Sequence, residues 1–338
     1  MKSDIEQNAP NKKTRGKYII PAVMVLCAIA GYVYMAATWS PVDSESQKAS
    51  EYKIRKIAAR NFQKSPDQLN DEDFSQVTRL IIGESKYSSA PMIMELADIK
   101  LLEKFTNLEV LSLGRIVYPK KYIPKWMTVL QKVGIIDIDK RFALDLSPLE
   151  KLQTLQMLTI SNTSLKSIKP LSNLVNLQTL SLSGTNIKNI EPVKNLINLQ
   201  QLFLDGTEIS NLKPIKNLKN LEYLCITRTK IINLEPMREL TNLQTFYAHQ
   251  TQISDLEPLK ELTNMKYLYI GVTEISDLEP IKNLTELEVL DISNTIVSNL
   301  VPIKGFKKLQ RLYLQNCKKI TDEQVEDLKK AIPNLDTE

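Results

Sequence analysis

The sequence predicts an α/β-type repeat solenoid, and two observations carry that prediction. Leu155, Leu177, Leu199, Leu221, Met265, Leu287 and Leu309, with Leu243 between them, restart one pattern every 22 residues. A fixed period of 20 to 50 residues signals stacked units. Within each unit a short stretch alternates, as Leu180 and Leu182 do with Ser181 and Ser183. Alternation of that kind marks a strand with one buried face.

Each unit reads L-x-x-L-x-L-x-x-T-x-I-x-x-L-x-P-L-x-x-L-x-N, as in 177–198 and 199–220. After the strand, Thr185 turns the chain and Ile187 and Ile190 point back inward. Pro192 cannot donate to a ladder and so marks the side away from the sheet. Val193 and Leu196 complete a core too small to fold alone, which stacking makes continuous. The threonine column at Thr163, Thr185, Thr207, Thr229, Thr251, Thr273 and Thr295 is read as structural. Its hydroxyls can bond backbone groups of their own turn and of the next repeat.

This pattern resembles bacterial leucine-rich repeats of the 22-residue, internalin-like class over roughly residues 77 to 320, with threonine where that class usually has asparagine. The resemblance implies a leucine-rich-repeat arc with a parallel sheet of about ten strands on its concave side. It also implies that the concave side recognises a protein partner.

Earlier units are less regular. Val133, Ile136, Ile138, Leu146, Pro148, Leu149 and Leu152 keep the phase, with Arg141 in the threonine place. Leu108, Leu111 and Leu113 start a longer unit, as do Val77, Leu80 and Ile82, with insertions near 85–91 and 118–126.

The ends predict an anchor and two caps. Residues 18–38 carry no charge and are long enough to cross a ~30 Å hydrocarbon core as a helix. Lys12, Lys13, Arg15 and Lys17 precede the segment, and Asp43 and Glu45 follow it. A signal anchor at 18–39, with a basic cytoplasmic tail at 1–17 and the repeats outside the cytoplasm, is the expectation. Cleavage at Ala28-Ile29-Ala30, giving a secreted protein, is the alternative. Leu26 before Cys27 speaks against a lipoprotein.

Residues 40–76 read as a polar spacer and a helical N-terminal cap. Tyr52, Ile54, Ile57, Ala58 and Phe62 have amphipathic spacing, and Asn70 or Asp71 caps a second short helix. At 321–338, Thr321 to Gln324 read as a capping box opening a C-terminal cap helix that Pro333 ends.

Composition narrows the function. In 338 residues there is room for the anchor and one elongated domain, with none for a separate enzyme module. The net charge of +5 is mild and dispersed, with Lys194, Lys216 and Lys282 on the expected outer side. A nucleic-acid surface needs a clustered basic stripe, so nucleic acid is not expected. Cys225 and Cys317 stand four repeats apart, roughly 19 Å at ~4.8 Å per strand, too far to bond.

The outward strand positions form two columns. One runs Asp137, Thr159, Ser181, Phe203, Cys225, Tyr247, Tyr269, Asp291, Tyr313. The other runs Ile135, Met157, Thr179, Gln201, Tyr223, Thr245, Tyr267, Val289, Arg311. Phe203, Tyr223, Tyr247, Tyr267, Tyr269 and Tyr313 are expected to form one contiguous patch, with Arg228 and Arg311 at its flanks. Tyrosine and arginine dominate interface hot spots, which makes Phe203, Tyr223, Tyr247, Tyr267, Tyr269, Arg311 and Tyr313 the candidate protein-binding residues. Aromatics also favour strands for their own sake.

The expected function is a membrane-anchored protein-recognition module with no catalysis, no cofactor, no metal and no small-molecule substrate. Two alternatives stand beside it. One is a scaffold or regulator of a partner enzyme, as similar repeats are in phosphatase regulators. The other is thiol chemistry at Cys225 and His249, which sit on adjacent expected strands.

Overall fold

The computed structural model describes residues 44–62, 64–83, 94–95, 99–114, 116–117 and 143–338. The strands are β1 (Arg79–Gly83), β2 (Met94–Glu95), β3 (Val110–Gly114), β4 (Ile116–Val117), β5 (Met157–Ser161), β6 (Thr179–Ser181) and β7 (Gln201–Phe203). They continue with β8 (Tyr223–Cys225), β9 (Thr245–Tyr247), β10 (Tyr267–Tyr269), β11 (Val289–Asp291), β12 (Arg311–Tyr313) and β13 (Asp336–Thr337). Eleven of them form one sheet in the order β1-β3-β5-β6-β7-β8-β9-β10-β11-β12-β13, while β2 and β4 pair separately. Neighbouring strands are parallel and in register at the repeat spacing, so Leu180 faces Leu202, Leu224 and then Phe246.

The alternating leucines bury one face completely: Leu180, Leu202, Leu224 and Leu268 are fully enclosed. Opposite the sheet, each regular coil closes with a short 3₁₀ turn such as Lys213–Ile215 or Glu257–Leu259. A proline occupies the first turn of each of these, where its missing N–H has no intrahelical partner to lose. Just before them Asn189, Asn211, Asn233, Asp255, Asp277 and Asn299 accept a backbone N–H two residues on, at 2.7–2.9 Å. These Asx bonds open the turn.

Two side-chain columns hold the coils. Thr185, Thr207, Thr229, Thr251, Thr273 and Thr295 donate to the carbonyl three residues back at 2.6–2.7 Å. The hydroxyl thus serves its own turn. Cys317 takes the next place, its thiol donating to Ile292 O at 3.0 Å. The asparagine ending each unit reaches the preceding coil: Asn176, Asn198, Asn220, Asn242 and Asn264 donate to a carbonyl 23 residues back at 2.8–3.0 Å.

The residue before each ladder threonine is left-handed. Asn162, Gly184, Gly206 and Asn294 suit that backbone, whereas Val272 at φ 57° pays for its branched Cβ.

The early region departs from expectation. β3 pairs directly with β5, Val110 opposite Met157. The strand expected at 133–138, with Ile135 and Asp137, lies outside the described residues. Leu146, Leu149 and Leu152 are buried nonetheless, on and around a 3₁₀ helix at Ser147–Lys151. They lie between β3 and β5 in the chain and pack into the same core. Both expected insertions, 85–91 and 118–126, also lie outside the described residues.

The described N-terminal helices are α1 (Ser44–Ala58) and α2 (Asp71–Ser75). α1 begins within the stretch read as a spacer, and Ile54 and Ala58 are fully buried against the first coils. Asn70 caps α2: its Oδ1 accepts from Asp73 N at 2.9 Å, and Asp73 Oδ2 accepts from Asn70 N at 2.9 Å. Lys64 adds an ion pair to the same carboxylate at 2.7 Å. At the other end α3 (Asp322–Ala331) is capped by the Thr321 side chain, which accepts from Gln324 N at 3.3 Å. The Gln324 amide does not return the bond as a capping box requires; it donates to Ser298 O at 3.0 Å. α3 and the residues after it bury Leu328, Ile332 and Leu335 over the last coil.

The expected N-terminal transmembrane helix is corrected. Among the described residues no helix is long and apolar enough to cross a membrane. α1, at 15 residues, spans only ~22 Å against a ~30 Å hydrocarbon core, and it carries charge along its length. Residues 18–39, on which the anchor was expected, lie outside the described residues. The membrane partner, the cytoplasmic N-terminus and the single-pass topology all rested on that segment, and they are withdrawn with it.

Candidate protein-binding face

Because strand side chains alternate, positions three, five and seven of each unit point away from the core. Pairing fixes them into columns: Gln201, Tyr223, Thr245, Tyr267, Val289, Arg311 and beside it Phe203, Cys225, Tyr247, Tyr269, Asp291, Tyr313. The third column is Asp205, Thr227, His249, Gly271 and Ser293.

Four of the candidate rings form a continuous run across β7 to β10. The centroids of Phe203 and Tyr223 are 4.6 Å apart, those of Tyr223 and Tyr247 5.5 Å, and those of Tyr247 and Tyr269 4.3 Å. The last pair is stacked at 5° between planes. All four are half-buried, each shielding its neighbour while keeping an open edge. Burial pushes the Tyr269 phenol up to about 12, with the neighbouring Tyr247 adding to the shift. Tyr223 is raised as well, again chiefly by burial. Both hydroxyls therefore stay protonated and can donate.

The other candidates stand apart from this run. Tyr267 turns to the strand edge, where its hydroxyl donates to Glu288 Oε2 at 2.9 Å. Arg311 is exposed and Tyr313 half-buried, both on β12, beyond Asp291. Arg228 sits in the turn after β8 with a left-handed backbone.

The face also holds two polar clusters, one at each end of the ring run. At one end Ser181 and Ser183 hydroxyls lie 3.2 Å apart, and Ser183 donates to Asp205 Oδ1 at 2.6 Å. At the other, His249 Nε2 lies 2.7 Å from Asp291 Oδ2, two strands away. Ser293 N donates to the other oxygen of Asp291 at 2.8 Å, and its hydroxyl does the same. Burial opposes ionisation of Asp291, but the bonds from His249 and Ser293 outweigh it and hold the carboxyl below its ordinary value.

Gly271, just past β10 on the coil between them, makes that reach possible. A Cβ there would meet Ser293 Oγ at 2.8 Å, Asp291 Oδ1 at 2.9 Å and His249 Cδ2 at 3.0 Å. Sequence reasoning did not find this pair. The available signals were a lone histidine and a glycine in an otherwise substituted column.

The same geometry removes the thiol alternative. His249 is engaged with Asp291, and burial pushes the Cys225 thiol up, with Asp205 adding to the shift and Thr227 only partly offsetting it. A thiolate–imidazole pair needs the opposite. Among the described residues no group of three His, Cys, Asp or Glu side chains is placed to hold a metal ion.

A family model for leucine-rich repeats in two copies matches residues 153–195, 241–283 and 285–330. No curated relative matches the sequence. Among solved structures, an internalin (inlF) from Listeria monocytogenes is 22% identical, covering 86% of this chain and 87% of its own, with a TM-score of 0.58. Internalin C2 from the same organism is 26% identical, covering 70% of this chain and 90% of its own, with a TM-score of 0.57. A leucine-rich-repeat protein of Leptospira interrogans is 23% identical, covering 74% and 65%, with a TM-score of 0.57. These likenesses establish the fold.

Proposed function

We propose that this leucine-rich-repeat protein, structurally similar to the bacterial internalins, holds a protein partner on the concave face of its sheet. The similarity to internalins supports a non-enzymatic role. The observation that carries the binding reading is the run Phe203–Tyr223–Tyr247–Tyr269. Every strand has the same two outward positions, yet stacked rings gather on four adjacent strands, and β5 and β6 offer Met157, Thr159, Thr179 and Ser181 instead. Sheet propensity alone gives no reason for that regional bias. A standard interface buries ~800 Å² per partner and depends on a few central anchors. Four contiguous rings supply such anchors.

Acting as a scaffold or regulator of a partner enzyme would use the same surface and the same contacts. The membrane anchor is no part of this reading.

Photo-crosslinking tests it. A benzophenone side chain introduced at Tyr267, beside the run, should trap a discrete partner. The same group at Lys216 on the outer side should not. The adduct should disappear when Tyr247 and Tyr269 are both changed to alanine. Equal trapping from both positions would refute the assignment.

A further inference from the structure

The chain carries 44 lysines and arginines and a net charge of +5. From β5 to β11, the outward positions of the sheet hold none of them. Only two of those positions bear a carboxylate, and they bracket the aromatic run. Asp205 follows β7 beside Phe203, and Asp291 on β11 pairs in register with Tyr269. The first outward base past β11 is Arg311 on β12, opposite Val289. Arg228 and Lys266 sit in a turn and at a strand edge, and Glu222 and Glu288 occupy the same edge.

A basic protein that keeps every lysine and arginine off the outward positions from β5 to β11, and places an acid at each end of the aromatic run within them, presents a complementary surface for a cation. The geometry points to a partner segment that lies across the strands, with an apolar or aromatic centre on the four rings and a basic side chain at each end, one meeting Asp205 and the other Asp291. This rests on the concave-face reading above and adds the partner's charge pattern.

The carboxylates have capacity for it. Asp205 is half-buried, and the Ser183 hydroxyl is bonded to only one of its oxygens. Asp291 Oδ1 already accepts from both Ser293 N and Ser293 Oγ, while Oδ2 is bonded only to His249 and, since a carboxylate oxygen accepts two hydrogens, keeps one place for a donor. The spacing sets the segment's length. β7 and β11 are four strands apart, roughly 19 Å at ~4.8 Å per strand, which an extended chain covers in about six residues at ~3.3 Å each.

The probe is a seven-residue peptide, Arg-Leu-Tyr-Gly-Tyr-Leu-Arg, set against its twin with glutamate at both ends. Fluorescence anisotropy with the full chain should show the arginine peptide binding and weakening with salt, and the glutamate twin binding at least about tenfold more weakly. Asp205→Asn keeps an acceptor for Ser183 and leaves the His249–Asp291 pair intact, so it reads charge without disturbing the fold. It should weaken the arginine peptide several-fold, and Asp205→Asn with Asp291→Asn should weaken it further. Binding of the glutamate twin with equal strength overturns the inference, as does failure of both peptides or indifference to Asp205→Asn. If the crosslinked partner is lost from the Tyr247→Ala, Tyr269→Ala protein but kept by the two asparagine substitutions, concave binding stands and the basic segment falls.

Discussion

His249 and Asp291 meet at 2.7 Å across the intervening strand β10, and they do so over the bare backbone of Gly271. Two coils separated by a third are thereby tied on the open face, next to the stacked rings of Tyr247 and Tyr269. The His249 ring itself lies 5.8 Å from that of Tyr269, centroid to centroid. The aromatic run ends against this polar bridge.

Gly271→Ala should break that bridge. The added methyl falls at 2.8–3.0 Å from Ser293, Asp291 and His249, so one of them must move. Overpacking of this kind costs about 1–3 kcal/mol. Urea unfolding would read it as a lowered midpoint, and an unchanged midpoint would show that the face absorbs the methyl freely.

Asp291 predicts an acid dependence. Its folded pKa lies below the ordinary 3.8, so its contribution to stability is complete above the unfolded value. That contribution is lost as pH falls through the lower folded value. Asp291→Asn should therefore flatten the acid limb of a melting-temperature profile below about pH 4. An acid limb identical to that of the parent protein would remove Asp291 from the account.

The threonine ladder predicts a cost for losing a hydroxyl. Thr251 is buried and donates to Ala248 O at 2.7 Å. Thr251→Val keeps the shape and strands that carbonyl, at about 1–3 kcal/mol. Thr251→Ser keeps the donor and should lose less. Equal losses in denaturant titrations would mean that packing, rather than the bond, sets the column.

Val272 predicts a gain. It is a branched residue in left-handed backbone and is 43% exposed, so little packing opposes its replacement. Asparagine or glycine occupies the equivalent position at Asn162, Gly184, Gly206 and Asn294. Val272→Asn should raise stability by about 1 kcal/mol. A lower melting temperature would assign Val272 a contact that outweighs its strain.

Much of this architecture could be read from residue spacing. Leu155 to Leu309 at a constant interval, with alternation inside each interval, determine strand, register and buried face together, because a slip of one residue would turn every leucine outward. The columns followed, and four of the ring positions came together as read. What spacing could not give was direction and distance. Tyr267 belongs to the same column as Tyr223, but it swings to Glu288 because a carboxylate lies at the strand edge beside it. His249 reaches Asp291 rather than Cys225 because Gly271 leaves the path open. Of the apolar phase read at 133–152, Leu146, Leu149 and Leu152 are buried as expected, and its first half lies outside the described residues. Gln324 had the right offset for a capping box, yet Ser298 offered it a carbonyl.

The central claim is that the stacked rings on β7 to β10 are the anchors of a protein interface. Its most direct test is the affinity of the crosslinked partner, once isolated, for the parent chain and for Tyr247→Ala and Tyr269→Ala, with melting temperature measured alongside. Each substitution should weaken binding by roughly 1–3 kcal/mol with the fold retained, because both side chains lie on the face away from the core. Undiminished affinity in the double variant would contradict the account and move the interface off the sheet.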